Sequence, residues 1–389
     1  MLHMMDFQVL KDSVYSSPAF VIDETKIIQA LALLAELRTQ SGCKVLYSIK
    51  ALPFSAVMDI AKPFVDGFAV SSLFEARLAD EVLRQGSAQV FAGQGSIHLT
   101  TPGIRPDELE ELSLLCSHIS FNSLTQYQRH AEAAQTQASI GLRVNPKLSF
   151  LVDDRFNPCR QHSKLGVAIE KLSYLDHIQG LHVHTAFSAI DFAPLIKTID
   201  KLQRHFGIGL AELQWLNVGG GYLFGQIEDH RPFVELVKKL KNDFGLEVYI
   251  EPGKAVVGQA GYLLATVLDS FVSDGLTVII LDTSVNHNPE VFEYQRQPEL
   301  HEHVPDGDYT AMLVGSTCLA GDVFGTYRFK QPLAVGDQVV FKNVGAYSLI
   351  KSNRFNGYNL PDIYLSNSLR VKKMKHYDYQ DFRRQWLAD

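Results

Sequence analysis

The feature that most constrains this chain is an alternation. Between residues 44 and 251, eight short β-rich runs take turns with longer segments of helical pattern. The runs are KVLYSIK (44–50), GFAVSS (67–72), AQVFAG (88–93), HISFN (118–122), SIGLRVN (139–145), GLHVHT (180–185), QWLNVGG (214–220) and EVYIEPG (247–253). Between them, segments such as IIQALALLAELRTQ and FEARLADEVLRQ place apolar residues at three- and four-residue steps, as a helix packed on a sheet does. A strand followed by a helix must be carried back before the next strand begins, so such strands are parallel. Eight units of this kind predict an α/β fold, a closed (β/α)8 barrel. A doubly wound open sheet is the alternative, but it calls for phosphate-binding glycines after the first strand, and YSIKALP has none.

Past residue 260 the pattern changes to β-rich segments, GYLLATVLDSFV, LTVIILDTS, YTAMLVG and DQVVFKNVG, separated by turn residues. They read as a β domain, which the strand-like PAFVIDE (18–24) near the N-terminus is placed to join. The expected division is a barrel over 26–259 and a β domain made of 1–25 and 260–389. A chain of 389 residues has room for two such domains. The net charge of −7 argues against a nucleic-acid partner and suits a cationic substrate. No apolar run reaches the length needed to span a bilayer, and MLHMMDFQVLKDSVYSS lacks the basic-then-apolar order of a secretory signal, so a cytoplasmic protein is expected. The four cysteines, Cys43, Cys116, Cys159 and Cys318, are scattered without CxxC spacing, which suggests neither a zinc site nor a disulfide framework.

In a parallel barrel the chemistry gathers at the C-terminal ends of the strands, so polar residues that end the runs are the candidates. Lys50 ends the first run. Its apolar flanks would desolvate an ammonium and favour a usable amine nucleophile, although a solvated strand-end lysine fits the same letters. His184 ends the sixth run, and alternation puts it on the same side of the strand as His182, where either is a functional or a satisfied core histidine. The seventh run passes through Asn217 and Val218 into Gly219, Gly220 and Gly221, whose bare amides can approach a phosphate or simply make a turn. The eighth ends in Glu251-Pro252-Gly253, a carboxylate at the barrel centre that needs a cationic or protonated partner. An amine, an imidazole, a glycine cradle and a carboxylate at one mouth are what a phosphorylated pyridine aldehyde requires.

With NPCRQHSKLGV (157–167), WLNVGGGY (215–222), EPGKAV (251–256), LDTS (281–284), GSTCLAGDVFG (315–325) and FNGYNLP (355–361), the chain resembles the fold-type III pyridoxal-phosphate decarboxylases. These are related to ornithine, arginine and diaminopimelate decarboxylases and to alanine racemase. The resemblance runs from PAFVIDE to FNGYNLP, and its nearest branch looks like carboxynorspermidine (carboxyspermidine) decarboxylase. It implies a pyridoxal 5'-phosphate enzyme that decarboxylates a carboxylated polyamine in polyamine biosynthesis. By the same resemblance Lys50 binds the cofactor's aldehyde, His184 stacks on the pyridine ring, and Glu251 bonds the ring nitrogen. Gly219, Gly220, Gly221, Gly253 and Tyr347 hold the phosphate. Alanine racemases place an arginine where this chain has Glu251, so the glutamate favours decarboxylation. Cys318 matches a cysteine that reprotonates the substrate carbon in the partner subunit's site, and Asp322 matches an acid that meets the distal amine. The resemblance therefore implies a homodimer with two shared sites. Asp282 and Glu293 are further candidates for the substrate's amines.

The chain departs from that branch in places. After His184 it reads Thr185-Ala186-Phe187-Ser188-Ala189, without the usual cysteine and glutamate. Lys254 stands where an acid is usual, and VNHNPEVF (285–292) is altered. The alternative is decarboxylation of another amino acid or amino-acid conjugate in a biosynthetic pathway, such as a carboxylated amine whose own acidic group meets Lys254, Arg296 or His287. A non-catalytic cofactor-binding protein is a third reading, against which Cys318 and Asp322 both stand.

Overall fold

The computed structural model describes residues 6–85, 95–173, 175, 177–367 and 370–388. The chain divides into two compact units, residues 28–256 and residues 1–27 with 257–389. The first strand, β1 (Ala19–Asp23), belongs to the second of these. In residues 28–256 the parallel strands are β2 (Lys44–Ser48), β3 (Gly67–Val70), β4 (Ser96–Thr100), β5 (His118–Phe121), β6 (Ser139–Asn145), β8 (Gly180–Val183), β9 (Trp215–Asn217) and β10 (Glu247–Ile250). Between β6 and β8 lies a two-residue β7 (Val167–Ala168) that pairs with β6. Each of the eight pairs with its sequence neighbour in that series, and β10 pairs back to β2, so the sheet closes into the predicted barrel.

The third strand differs from the expected one. AQVFAG (88–93) lies outside the described residues, and the strand registered on β3 is β4, with Gly67 opposite Ser96. β-propensity favoured the Val-Phe pair, whereas pairing recruits SIHLT, whose Ile97, His98 and Leu99 are all buried.

Two of the strand-to-helix turns use one device. After β3, the Ser72 hydroxyl accepts from Glu75 N at 3.2 Å while Glu75 Oε2 accepts from Ser71 N at 2.6 Å. After β5, Ser123 accepts from Gln126 N at 3.1 Å while Gln126 Oε1 accepts from Asn122 N at 2.6 Å. Each pair caps a helix, Leu73–Arg84 and Leu124–Ala134, and satisfies amide donors that a helix start leaves open. Farther on, the helix Arg231–Phe244 opens with a proline in its first turn, closes on Gly245 in the left-handed region, and buries Phe233, Val234, Val237 and Leu240 on one stripe.

Inside the barrel, Trp215 at the start of β9 is 2% exposed and donates from its indole to Ser139 Oγ at 2.8 Å. A Cβ at Gly180 would stand 1.9 Å from the indole and one at Gly141 2.5 Å from it, so those two glycines make the room. The indole packs against His98, His118 and Tyr249, with the two imidazoles stacked at 3.9 Å. This layer fills the end of the barrel where the strands begin.

The second unit is a mostly antiparallel sheet built from β1, β11 (Gly261–Ser273), β12 (Leu276–Leu281), β13 (Tyr309–Val314), β14 (Val323–Phe329), β15 (Gln338–Phe341), β16 (Asp362–Ser366) and β17 (Val371–Lys375). β1 pairs antiparallel with β11 and parallel with β16. Its core gathers Phe20, Leu263, Leu281, Leu313, Phe324 and Phe341. Among the described residues no helix is long and apolar enough to cross a membrane, and no group of three or more His, Cys, Asp or Glu is placed to hold a metal ion. All four cysteines are free; Cys43, Cys116 and Cys159 are buried and Cys318 is exposed.

Candidate active site

Lys50, His184, the glycine run and Glu251 all lie just past the C-terminal ends of barrel strands. β2 stops at Ser48 and turns through a short 3-10 segment, Ile49–Ala51, which carries Lys50 at its centre. Glu251 follows β10, and the backbone there is tied across to β2 by Ser48 N donating to Pro252 O at 3.0 Å. Ser48, Lys50, Arg143, His182, His184 and Glu251 line one cavity of about 570 Å³ at this mouth.

Glu251 is 6% exposed, and its two oxygens are held separately. Asn217 Nδ2 donates to Oε1 at 2.8 Å, and His182 Nε2 lies 3.4 Å from Oε2. Burial alone would raise this carboxyl, but the imidazoles of His182 and His184 and the Lys50 ammonium outweigh it and hold it well below the usual carboxylate range. Lys50 opens onto the cavity yet is packed closely enough that burial lowers its ammonium; Arg143 adds to this, and Glu251 and Glu75 oppose it. His184 is pushed far down, first by burial and then by Lys50 and Arg143, so its ring is neutral.

The glycine run is bound into the same mesh. Asn217 Oδ1 accepts from Gly219 N at 2.9 Å, and His184 Nδ1 accepts from Gly220 N at 3.2 Å. A Cβ at Gly220 would stand 2.2 Å from Glu251 O, so close strand approach demands the glycine there whatever binds. Among the described residues the N–H groups of Gly221 and Gly253 make no hydrogen bond. Amides without an acceptor, a neutral imidazole, an ionised carboxylate and a desolvated lysine are groups of the kind that could hold the phosphate, ring, ring nitrogen and aldehyde of pyridoxal 5'-phosphate.

Several contributors were not singled out from the sequence. Arg143 of β6 is close to Glu251 and Lys50, and its guanidinium makes no hydrogen bond or ion pair among the described residues; a lone charged residue inside the apolar run SIGLRVN was the available signal. The loop 147–165 walls the cavity with Asp154, Phe156 and Arg160. Phe156 stacks on Phe187 at 4.6 Å, and Lys254 Nζ sits 5.6 Å from the Phe187 ring while donating to Ser188 Oγ at 3.3 Å.

The remaining predicted residues lie in the second unit. Cys318 is exposed, and its N–H donates to Asn356 Oδ1 at 2.8 Å. Asp322 is 3% exposed and accepts from Val285 N at 2.8 Å, from Thr317 N at 3.1 Å and from the Thr317 hydroxyl. Asp282 accepts from the Ser17 hydroxyl and from Thr266 N at 2.8 Å, and Glu293 pairs with Lys351 at 2.6 Å. Tyr347 has a left-handed backbone with φ of 62°. Arg296 lies over the Tyr294 ring at 5.7 Å, and buried His287 shares a bond with Thr283 at 2.9 Å.

The family profile described as "Pyridoxal-dependent decarboxylase, C-terminal sheet domain" matches residues 13–345. The chain belongs to this decarboxylase family. Among the relatives of this pyridoxal-dependent decarboxylase is the carboxynorspermidine/carboxyspermidine decarboxylase of Campylobacter jejuni, 31% identical over 94% of this chain and 97% of the relative. Another is the carboxyaminopropylagmatine decarboxylase of Synechocystis sp., 34% identical over 94% of each chain. Among solved structures, a Campylobacter jejuni carboxynorspermidine decarboxylase complexed with norspermidine matches with a TM-score of 0.86 and 29% identity, covering 96% of this chain and 100% of that one.

Proposed function

We propose that this decarboxylase acts on carboxynorspermidine or carboxyspermidine, using pyridoxal 5'-phosphate held at the barrel mouth. The observation that carries the reading is the convergence of Lys50, with its lowered ammonium, and ionised Glu251 on one cavity. Burial favours the neutral Lys50 amine, the form that attacks an aldehyde carbon. The bound cofactor supplies an electron sink for the pair left behind when carbon dioxide departs. Glu251, ionised and pinned on both oxygens, is suited to hold a proton on the ring nitrogen; Gly220 N fixes the His184 ring by its Nδ1, presenting a flat neutral face. Arg143 is a cation placed for a carboxylate or phenolate oxygen.

The substrate's tail needs an anion, and the sixth-strand acid is absent. Asp154 supports the polyamine reading. It lines the cavity, its carboxylate takes only the Asn157 amide at 3.3 Å, and no ion pair engages it among the described residues. Neighbouring Arg155 is already paired with Asp153 at 2.8 Å. Exposed Cys318 is free to serve a partner's barrel in a two-fold dimer, whereas the Asp322 carboxylate is taken up by Val285 and Thr317 of its own unit.

The test is carbon dioxide release from carboxynorspermidine, carboxyspermidine, carboxyaminopropylagmatine and diaminopimelate. The expected order places one of the first two highest in kcat/KM, with Asp154→Asn raising KM about threefold, as loss of an exposed charge pair would. A preference for diaminopimelate that is lost in Lys254→Ala would refute the polyamine assignment and favour a substrate with its own second acid.

A further inference from the structure

We infer that His182 is a positioning residue, which orients the Glu251 carboxylate by donating a hydrogen bond to it from inside the barrel. This rests on the reading above, in which Glu251 meets the ring nitrogen. His182 lies on β8, 1% exposed, with Nε2 3.4 Å from Glu251 Oε2. Its other nitrogen, Nδ1, is buried with no hydrogen-bond partner among the described residues, where nothing but Glu251 claims the ring. Facing a carboxylate, the nitrogen at 3.4 Å carries the proton, and the bare lone pair falls on Nδ1.

The second oxygen of Glu251 is fixed just as firmly. Asn217 donates to it, and the Asn217 carbonyl is occupied by Gly219 N, so the amide cannot flip without losing both bonds. The carboxylate is thus clamped at Oε1 from β9 and at Oε2 from β8. Its remaining lone pairs are left for a donor at the mouth. The titratable and charged groups around it are Lys50 after β2, His98 of β4, Arg143 of β6, and His182 and His184 of β8 and its end. Burial lowers all three imidazoles, and at His182 the Glu251 carboxylate opposes it, so the tie between the two rests on the hydrogen bond at Oε2 together with their charges.

The experiment compares two residues of equal length, His182→Gln, which keeps an N–H donor, and His182→Met, which has none. In the cofactor-free protein, infrared difference spectroscopy follows the Glu251 carboxyl, assigned by its disappearance in Glu251→Gln. His182→Met should shift the stretching band of the Glu251 carboxylate, the mark of a donor lost from one of its oxygens. In the loaded enzyme the same change should weaken cofactor binding about tenfold and lower kcat with little change in KM, the worth of one long charge-assisted hydrogen bond. His182→Gln should leave the band near its parental position and stay within about threefold of the parent in affinity and kcat. If Met and Gln behave alike, His182 only fills space and the inference is wrong. If the Met change moves the carboxylate band but leaves the bound cofactor's absorbance and affinity untouched, the His182 link stands and the placement of the ring nitrogen at Glu251 fails instead. Should His182→Met not fold, His182→Asn against His182→Leu makes the same comparison.

Discussion

Replacing Asn122 with alanine should free the loop that walls the cavity. Asn122 is 8% exposed, at the end of β5, and its amide makes a two-pronged contact with the far end of that loop: Nδ2 donates to Lys164 O at 2.7 Å and Oδ1 accepts from Gly166 N at 2.8 Å. The side chain thus stands in for a missing strand partner, holding the loop shut with two bonds. Both loop groups are partly buried, so water can replace part of what is lost, and about 1 kcal/mol for each bond is the suitable figure. Two bonds give about 2 kcal/mol, which raises the ratio of open to closed loop roughly thirtyfold. Trypsin reads this directly, because Arg155 and Arg160 lie on the loop and are exposed. When opening and closing are fast compared with cleavage, the cutting rate tracks the open population, so the variant should be cut at these sites roughly thirtyfold faster. Asn122→Asp keeps the acceptor for Gly166 N and loses the donor to Lys164 O, so it should fall between, at about fivefold. Cutting at unchanged rates in Asn122→Ala would refute the argument, since the loop would then be held by contacts other than these two.

Four further outcomes are expected. Lys50→Ala should lack the absorbance of lysine-bound cofactor, and borohydride reduction of the parent followed by peptide mapping should place the label on Lys50. Glu251→Gln should fold but turn over two to three orders of magnitude more slowly, since one preorganised charged bond in a dry site is worth roughly 2 to 4 kcal/mol; steady-state kinetics measures it. Mixing inactive Lys50→Ala and Cys318→Ala proteins in equal amounts should restore about a quarter of parental activity if the sites are shared across a dimer, and none if they are not. Stability should also depend on acid. His118 and His287 are each held down to about 4 from an ordinary 6.5 by burial, so they stay neutral when folded but take protons when unfolded. Stability should be level on their account above pH 6.5 and fall as pH drops from 6.5 toward 4, with urea midpoints less acid-sensitive in His118→Phe.

The barrel was legible because its signal is repetitive. A mis-set third strand, taken at AQVFAG where the register uses SIHLT, does not disturb an eightfold count. The groups at the mouth were legible for a related reason: a strand end is a place in sequence as well as in space, and Lys50, His184, Gly219 and Glu251 each follow a recognisable run. Arg143 and Asp154 escaped notice because their importance depends on what they fail to touch. Arg143 sits mid-strand, where alternation says only which side it faces, and Asp154 lies on a loop with no periodicity to read. The partners of Glu251 show the same limit. Asn217 and His182 were both visible in their runs, but the bonds that join them to one carboxylate connect strands 34 and 69 residues away, and no local pattern encodes such a meeting.

The indole that Gly141 and Gly180 admit has a consequence for traffic. With Trp215, His98 and Tyr249 all nearly sealed from solvent, the described residues close the barrel at the end where its strands begin. Whatever enters at the strand ends then leaves by the same rim, carbon dioxide included. A path from the opposite end would need the plug to move, and the close fit of an indole against two glycine backbones leaves it nowhere to go. Selection for a new substrate can therefore act at the rim, while the floor of the barrel stays as it is.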